Sequence, residues 1–133
     1  MTTQKALLMA SHISHLAPIF PVSNIKESLL FYQAMGFKTE FLWEDPPSYA
    51  VLSAGENASL HLSLLNPEHR DRQVESLIYI FVHDVDAQYA ICQKNGLTFH
   101  VDIGDRDYGM RDFELLDPDG HKITFGISLE RNG

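Results

Sequence analysis

Apolar and polar residues follow two different rhythms along this chain, and each change of rhythm marks an element. From Ile13 to Val22, the residues Ile13, His15, Ala17 and Ile19 share one face, while Leu16, Pro18, Phe20 and Val22 share the other. That alternation predicts a strand whose prolines limit its pairing. Ser23-Asn24 then offers a helix cap, with Glu27 three residues after Asn24 as in a capping box. Ile25, Leu29, Phe31 and Tyr32 recur at three-to-four spacing, and Gly36 stops the helix. Strands follow over Phe37 to Trp43, Tyr49 to Leu52 and Ala58 to Leu65, separated by the Asp45-Pro46-Pro47-Ser48 break and the Ala54-Gly55-Glu56-Asn57 turn.

The rhythm then repeats. Leu77 to Val82 predicts a strand, Asp84 a cap, and Val85, Tyr89 and Cys92 the stripe of a helix ending at Gly96. Leu97 to Ile103 predicts a strand and Gly104 to Tyr108 a polar loop. Asp117-Pro118-Asp119-Gly120 is a turn with a mechanism: proline pre-sets φ and glycine supplies positive φ where the chain reverses. Phe113 and Leu115 alternate with Asp112 and Glu114 on one side, Ile123 and Phe125 with Lys122 and Thr124 on the other, so the chain closes on a hairpin.

Laid over each other, the halves coincide. Val22-Ser23-Asn24-Ile25 answers Val82-His83-Asp84-Val85, Gln33 answers Gln93, and Gly36 answers Gly96, each pair 60 residues apart. A strand, a helix and three strands thus occur twice, the mark of a duplicated βαβββ module. The expected organisation is a leader over 1–12, a first module over 13–65, a linker over 66–74 and a second module over 75–129. Neither module can bury its sheet alone; together they can, as one α+β domain of two mixed-sheet modules.

Composition narrows the function. The 133-residue chain is 44% hydrophobic, with 10 basic against 18 acidic side chains and a net charge of −8. That balance argues against nucleic acid and against an anionic membrane surface. The single cysteine, Cys92, excludes an intrachain disulfide and sits among apolar helix neighbours, so it reads as a packed thiol in a reducing compartment. No segment reaches the ~20 apolar residues a membrane span needs. A cytoplasmic protein is expected.

The run Tyr108-Gly-x-Arg111-x-Phe113, then a strand, Asp117-Pro118-Asp119-Gly120 and a closing apolar strand, set within a duplicated βαβββ chain, resembles the vicinal oxygen chelate superfamily. That superfamily contains glyoxalase I, extradiol dioxygenases, fosfomycin-resistance enzymes and bleomycin-resistance proteins. The resemblance covers about Ile13 to Leu129 and implies a cup holding a metal ion or a small ligand, usually in a homodimer. Metal-using members place ligands on the first and last strands of each module. The matching positions here are Ala17, His61, Leu77 and Thr124. One of the four binds a transition metal well, two cannot, and a lone threonine hydroxyl is a poor ligand. A two-residue slip puts His15 in place of Ala17, which still leaves the set short. The expectation is therefore a cup without a protein-held metal or other cofactor, nearest in character to bleomycin-resistance proteins and binding a small hydrophobic or aromatic ligand.

The candidate ligand-binding residues are His61, Tyr79, Phe81, Trp43, Tyr49, Tyr108, Arg111 and Phe113. Tyr79 and Phe81 share parity with Leu77 on the inner face, and Tyr108 and Arg111 lie where they can cover the mouth. Each aromatic taken alone could instead fill the core, and Arg111 could pair with Asp107 or Asp112. Among the other histidines, His12 and His69 read as solvated loop residues, His83 and His121 as surface residues, and His100 as facing either side. The alternative is a metal-dependent lyase, isomerase or dioxygenase whose ligands have moved, with His15, His61 and Glu114 as the set to find together. A third possibility is an interaction domain.

Overall fold

The structure, a computed structural model, describes residues 11–68 and 75–130. Residues 1–10, which hold most of the expected leader, and 69–74, which hold most of the expected linker and His69, lie outside the described residues. Ten elements follow in order: β1 (Ile19–Val22), α1 (Ile25–Ala34), β2 (Lys38–Trp43), β3 (Tyr49–Ala54), β4 (Ala58–Leu64), β5 (Leu77–Phe81), α2 (Val85–Lys94), β6 (Val101–Asp105), β7 (Met110–Leu116) and β8 (Lys122–Ser128). They form two separate mixed four-stranded sheets, ordered β1-β4-β3-β2 and β5-β8-β7-β6. In each, the first strand runs parallel to the last, with Ile19 opposite His61 in one and Tyr79 opposite Thr124 in the other. The 60-residue repeat therefore carries a matched topology.

The caps work as the sequence predicts. Asn24 accepts a hydrogen bond from Glu27 N, and Asp84 accepts one from Ala87 N, both at 3.0 Å. Beyond each helix a glycine with positive φ, Gly36 at 112° and Gly96 at 81°, reverses the chain.

Each helix covers one face of its sheet. In the first module Ile25, Leu29 and Tyr32 bury against Phe20, Val22, Ala50, Leu52, Leu60 and Leu62. In the second, Val85 and Cys92 meet Leu115, Ile123 and a run of rings: Tyr89 stacks on Phe99 with centroids 4.4 Å apart, and Phe113 on Phe125 at 5.4 Å. Among the described residues, hydrogen bonds join the modules at two places. The C-terminal end of α1 meets α2 through Gln88 Nε2 to Met35 O at 2.7 Å and Asn95 Nδ2 to Ala34 O at 2.9 Å. The Asp117–His121 turn packs on β1 and α1, where Asp119 accepts from Ser23 N and Tyr32 Oη donates to Asp117 at 2.7 Å. Among the described residues no helix is long and apolar enough to cross a membrane.

Three expectations need correction. The first strand begins at Ile19, not Ile13, because only Ile19 to Val22 have partners on β4. The sixth strand runs from Val101 to Asp105, later than expected, since its partners on β7 are Glu114, Asp112 and Arg111. His121 is no surface residue: it is fully buried, accepts from Ser76 N at Nδ1 (2.8 Å) and donates from Nε2 to Pro21 O (2.6 Å). A histidine beside a polar turn looks solvated in sequence, but here it ties the second module to β1.

Candidate ligand-binding site

With one face of each sheet under its helix, the other face is left for function. On the first sheet a β-bulge between Thr39 and Phe41 decides what that open face carries. Before the bulge Thr39 opposes the buried Leu52; after it Phe41 opposes Val51 and Trp43 opposes Tyr49. Without the extra residue Phe41 and Trp43 would point toward α1, because strand side chains alternate with a period of two. With it, Phe41 and Trp43 stand beside Tyr49, Val51 and His61, with Ile19 across from His61. Phe41 and Trp43 are 51% and 57% exposed, large values for side chains of this kind. His61 Nδ1 lies 2.7 Å from Tyr49 Oη, and the two rings meet edge to face. That contact fixes the imidazole plane and leaves Nε2 for another partner.

The open face of the second sheet has a different character. Leu77, Tyr79 and Phe81 of β5 stand beside Thr124 and Gly126 of β8 and Asp112 and Glu114 of β7. Asp112 is only 3% exposed, yet its carboxylate accepts from Arg106 Nε (2.8 Å), Tyr79 Oη (2.8 Å) and Tyr108 Oη (2.9 Å). Burial raises the Asp112 pKa, but the hydrogen bonds from Arg106, Tyr79 and Tyr108 outweigh it and hold the carboxyl below its usual range. Burial and then the Asp112 hydrogen bond push the Tyr79 phenol up, so it stays a donor. This is one carboxylate clamping a guanidinium and two phenols at the edge of an apolar wall.

The eight sequence-predicted residues divide accordingly. His61, Tyr49 and Trp43 gather on the first open face; Tyr79, Phe81 and Tyr108 belong to the second. Phe113 and Arg111 do not join them. Asp112 and Glu114 take the open face of β7, so Phe113 turns inward, fully buried between Phe125, Tyr89 and Phe99. Arg111 turns the same way and pairs with Asp86 at 2.8 Å and Asp105 at 3.0 Å. The cation that reaches Asp112 is Arg106, which sequence reading missed along with Asp112 and Phe41. The alternation of Asp112 with Phe113 held the signal for Asp112; nothing in the sequence marked the bulge that turns Phe41.

The metal positions are chemically thin. Ala17 and Leu77 carry no donor atom, and His61 already engages Tyr49. Among the described residues no group of three His, Cys, Asp or Glu side chains is placed to hold an ion. His15, His61 and Glu114 are not brought together: His15 is exposed and contacts Ser14, while Glu114 lies on the second sheet, 3.6 Å from His100. A separate cleft of about 720 Å³ runs between the modules, lined by Met35, Phe37, Leu60, Ile78, Ile80 and Ile91 among others. Of the eight candidates it touches only Tyr79 and Phe81.

Comparison with known proteins is consistent with this geometry. A family model described as the Glyoxalase/Bleomycin resistance protein/Dioxygenase superfamily matches residues 12–125. None of the curated proteins matches the chain significantly. Among solved structures, TioX from Micromonospora sp. ML1 aligns at 16% identity over 88% of this chain and 100% of its own, with a TM-score of 0.76. A bleomycin-binding protein complexed with bleomycin aligns at 18% identity over 87% and 99%, with a TM-score of 0.71. TnmS3, an antibiotic-binding protein from Streptomyces sp. CB03234, aligns at 24% identity over 89% and 98%, with a TM-score of 0.69. At such identities the likeness is one of fold.

Proposed function

The chain belongs to the glyoxalase/bleomycin resistance protein/dioxygenase superfamily, and on that premise we propose that it binds a small hydrophobic or aromatic molecule against its open sheet faces, without a protein-held metal. The observation that carries the reading is the content of those faces: Phe41, Trp43, Tyr49, Tyr79 and Phe81, with His61 and the Asp112 clamp as the few polar points. Apolar walls with sparse, fixed polar groups suit an organic ligand. The donor set argues against a metal, because each ligand must replace water on the ion and two of the four family positions are Ala17 and Leu77. Relatives described as bleomycin-binding and antibiotic-binding share the fold and make such a ligand a natural class to test.

The two sheets are separate, and Phe41, Trp43, Leu77 and Phe81 are all more than half exposed. We propose that a second copy covers them, so that each cup is closed in a homodimer. Light scattering is expected to give twice the 15.1 kDa chain mass.

Trp43 is the sole tryptophan and lies on the open face, so its fluorescence reports the site directly. Titration with bleomycin and a panel of planar aromatics is expected to quench it saturably for at least one compound. Elemental analysis of fresh protein is expected to find no stoichiometric metal. One zinc, nickel, manganese or iron per chain would replace this reading with the metal-enzyme one; no quenching across the panel would remove the ligand.

A further inference from the structure

Of the described glycines, Gly126 has the neighbour closest to where its Cβ would be. It sits on β8 between Phe81 of β5 and Asp112 of β7, all three on the open face of the second sheet. A Cβ built at Gly126 would lie 2.1 Å from Tyr79 Oη, 2.7 Å from its Cζ and 2.9 Å from its Cε1. Real Cβ atoms do not approach that closely, so the ring and a side chain at 126 exclude each other. Tyr79 opposes Thr124, two residues before Gly126, and crosses diagonally over bare Gly126 to reach Asp112 on the far strand, where Oη donates at 2.8 Å. The phenol end of the ring thus lies over bare backbone while the residue stays 37% exposed, with the Phe81 ring tilted against it at a centroid distance of 4.9 Å.

We propose that Gly126 and Asp112 are positioning residues that lay Tyr79 flat as a stacking platform, and that the site takes a planar fused-ring ligand with an N–H or O–H donor on its edge. This rests on the ligand-binding reading and names the ligand class. The stacking half follows from a ring held across bare Gly126 by the hydrogen bond at its tip, which loses little freedom when a second ring lies on it. The donor half follows from hydrogen-bond direction. Tyr79 and Tyr108 both spend their protons on Asp112, so what their oxygens have left for a ligand is lone pairs.

The test has a ligand-free arm and a binding arm. Gly126→Ala is expected to lower the melting temperature by about 5 °C with Tyr79 present and to cost nothing measurable in a Tyr79→Ala background, where the clash is gone. Equal losses in both backgrounds would overturn the positioning role. For binding, 9-aminoacridine and N-methylacridinium are both planar cations, and only the first carries N–H donors. Wild type is expected to bind 9-aminoacridine at least ~10-fold more tightly, and both Gly126→Ala and Tyr79→Phe, which keeps the ring but frees it from Asp112, to weaken it about tenfold. Unchanged affinity in Tyr79→Phe, or equal affinity for the two acridines, refutes the platform. If neither acridine binds while another compound quenches Trp43, the ligand class is wrong and the broader reading stands. If nothing quenches Trp43, the broader reading fails, and the stability cycle still decides whether Gly126 positions Tyr79.

Discussion

Replacing Tyr32 with phenylalanine removes one oxygen from the seam between the modules. Tyr32 lies in α1 of the first module with no exposed surface, and its Oη donates at 2.7 Å to Oδ2 of Asp117, in the last turn of the second. Asp117 is 4% exposed and spends Oδ1 on Asp119 N at 2.8 Å and His121 N at 2.9 Å. The variant would leave a buried carboxylate oxygen without its phenol donor, where water has little access. A hydrogen bond to a charged group contributes about 1.5–3 kcal/mol, so a loss of about 2 kcal/mol is expected. For a chain of this length that corresponds to a fall in melting temperature of roughly 7 °C.

Urea unfolding followed by circular dichroism and by Trp43 fluorescence measures the loss, with the denaturant slope unchanged. Tyr32→Phe, Asp117→Asn and the double variant close a cycle whose coupling is expected near ~1–2 kcal/mol, since the two groups share one bond. A pH series adds an independent check. Burial, followed by the Asp117 charge, raises the folded Tyr32 pKa well above its ordinary value. A raised folded pKa means the contribution is complete below the unfolded phenol's ~10 and is lost as pH rises above it. Wild type should therefore lose stability more steeply than Tyr32→Phe in that alkaline range. A loss under about 0.5 kcal/mol, or a cycle with no coupling, would refute the assignment of this bond as a tie between modules.

Two further outcomes follow from other buried groups. Burial pushes the Cys92 thiol up to about 11, against a smaller opposing effect of Gln88, so a disulfide reagent at pH 8 should modify it only on unfolding; prompt reaction of the native protein would contradict its packing. Asp112→Asn should cost about 2 kcal/mol at pH 7, and because its folded pKa is depressed the wild-type advantage is present above the unfolded carboxyl's ~3.9 and shrinks as pH falls below it. A difference that grows on acidification would show that Asp112 does not carry the clamp as a carboxylate.

Topology was legible in the sequence because it depends on features that repeat locally. Asn24 and Asp84 cap, Gly36 and Gly96 reverse, and the same spacing recurs 60 residues later. Which face an aromatic takes was legible only where alternation runs unbroken. Tyr79 and Phe81 follow from Leu77 in an uninterrupted strand, whereas Phe41 depends on a bulge that sequence spacing does not mark. Phe113 and Arg111 were misplaced for a simpler reason. Membership in a motif outweighed parity, although Asp112 and Glu114 already claimed the open face. His121 and Asp112 were illegible as buried groups, because a polar residue is inside only when its partners are, and each has a partner far away in the chain: Pro21 for the one, and Tyr79, besides the nearby Arg106 and Tyr108, for the other.

The duplication also explains where the cleft lies. His61 and Thr124 are equivalent, an offset of 63 (124−61), so Asp117 corresponds to Ala54 (117−63) and His121 to Ala58 (121−63). With the 60-residue offset of the helices, Tyr32 corresponds to Cys92 and Pro21 to Phe81. On one side, then, Tyr32 bonds Asp117 and His121 bonds the Pro21 carbonyl, which closes the turn onto β1. On the other, Cys92 and Ala54 have nothing comparable to exchange, and Ala58 has no side-chain donor to offer the Phe81 carbonyl. The cleft of about 720 Å³ opens along β5, lined by Ala54, Ala58 and Phe81. Seam and cleft are the same place in the repeat, one with its hydrogen-bonding side chains and one without, so the asymmetry of the molecule comes from side-chain chemistry laid on a symmetric backbone.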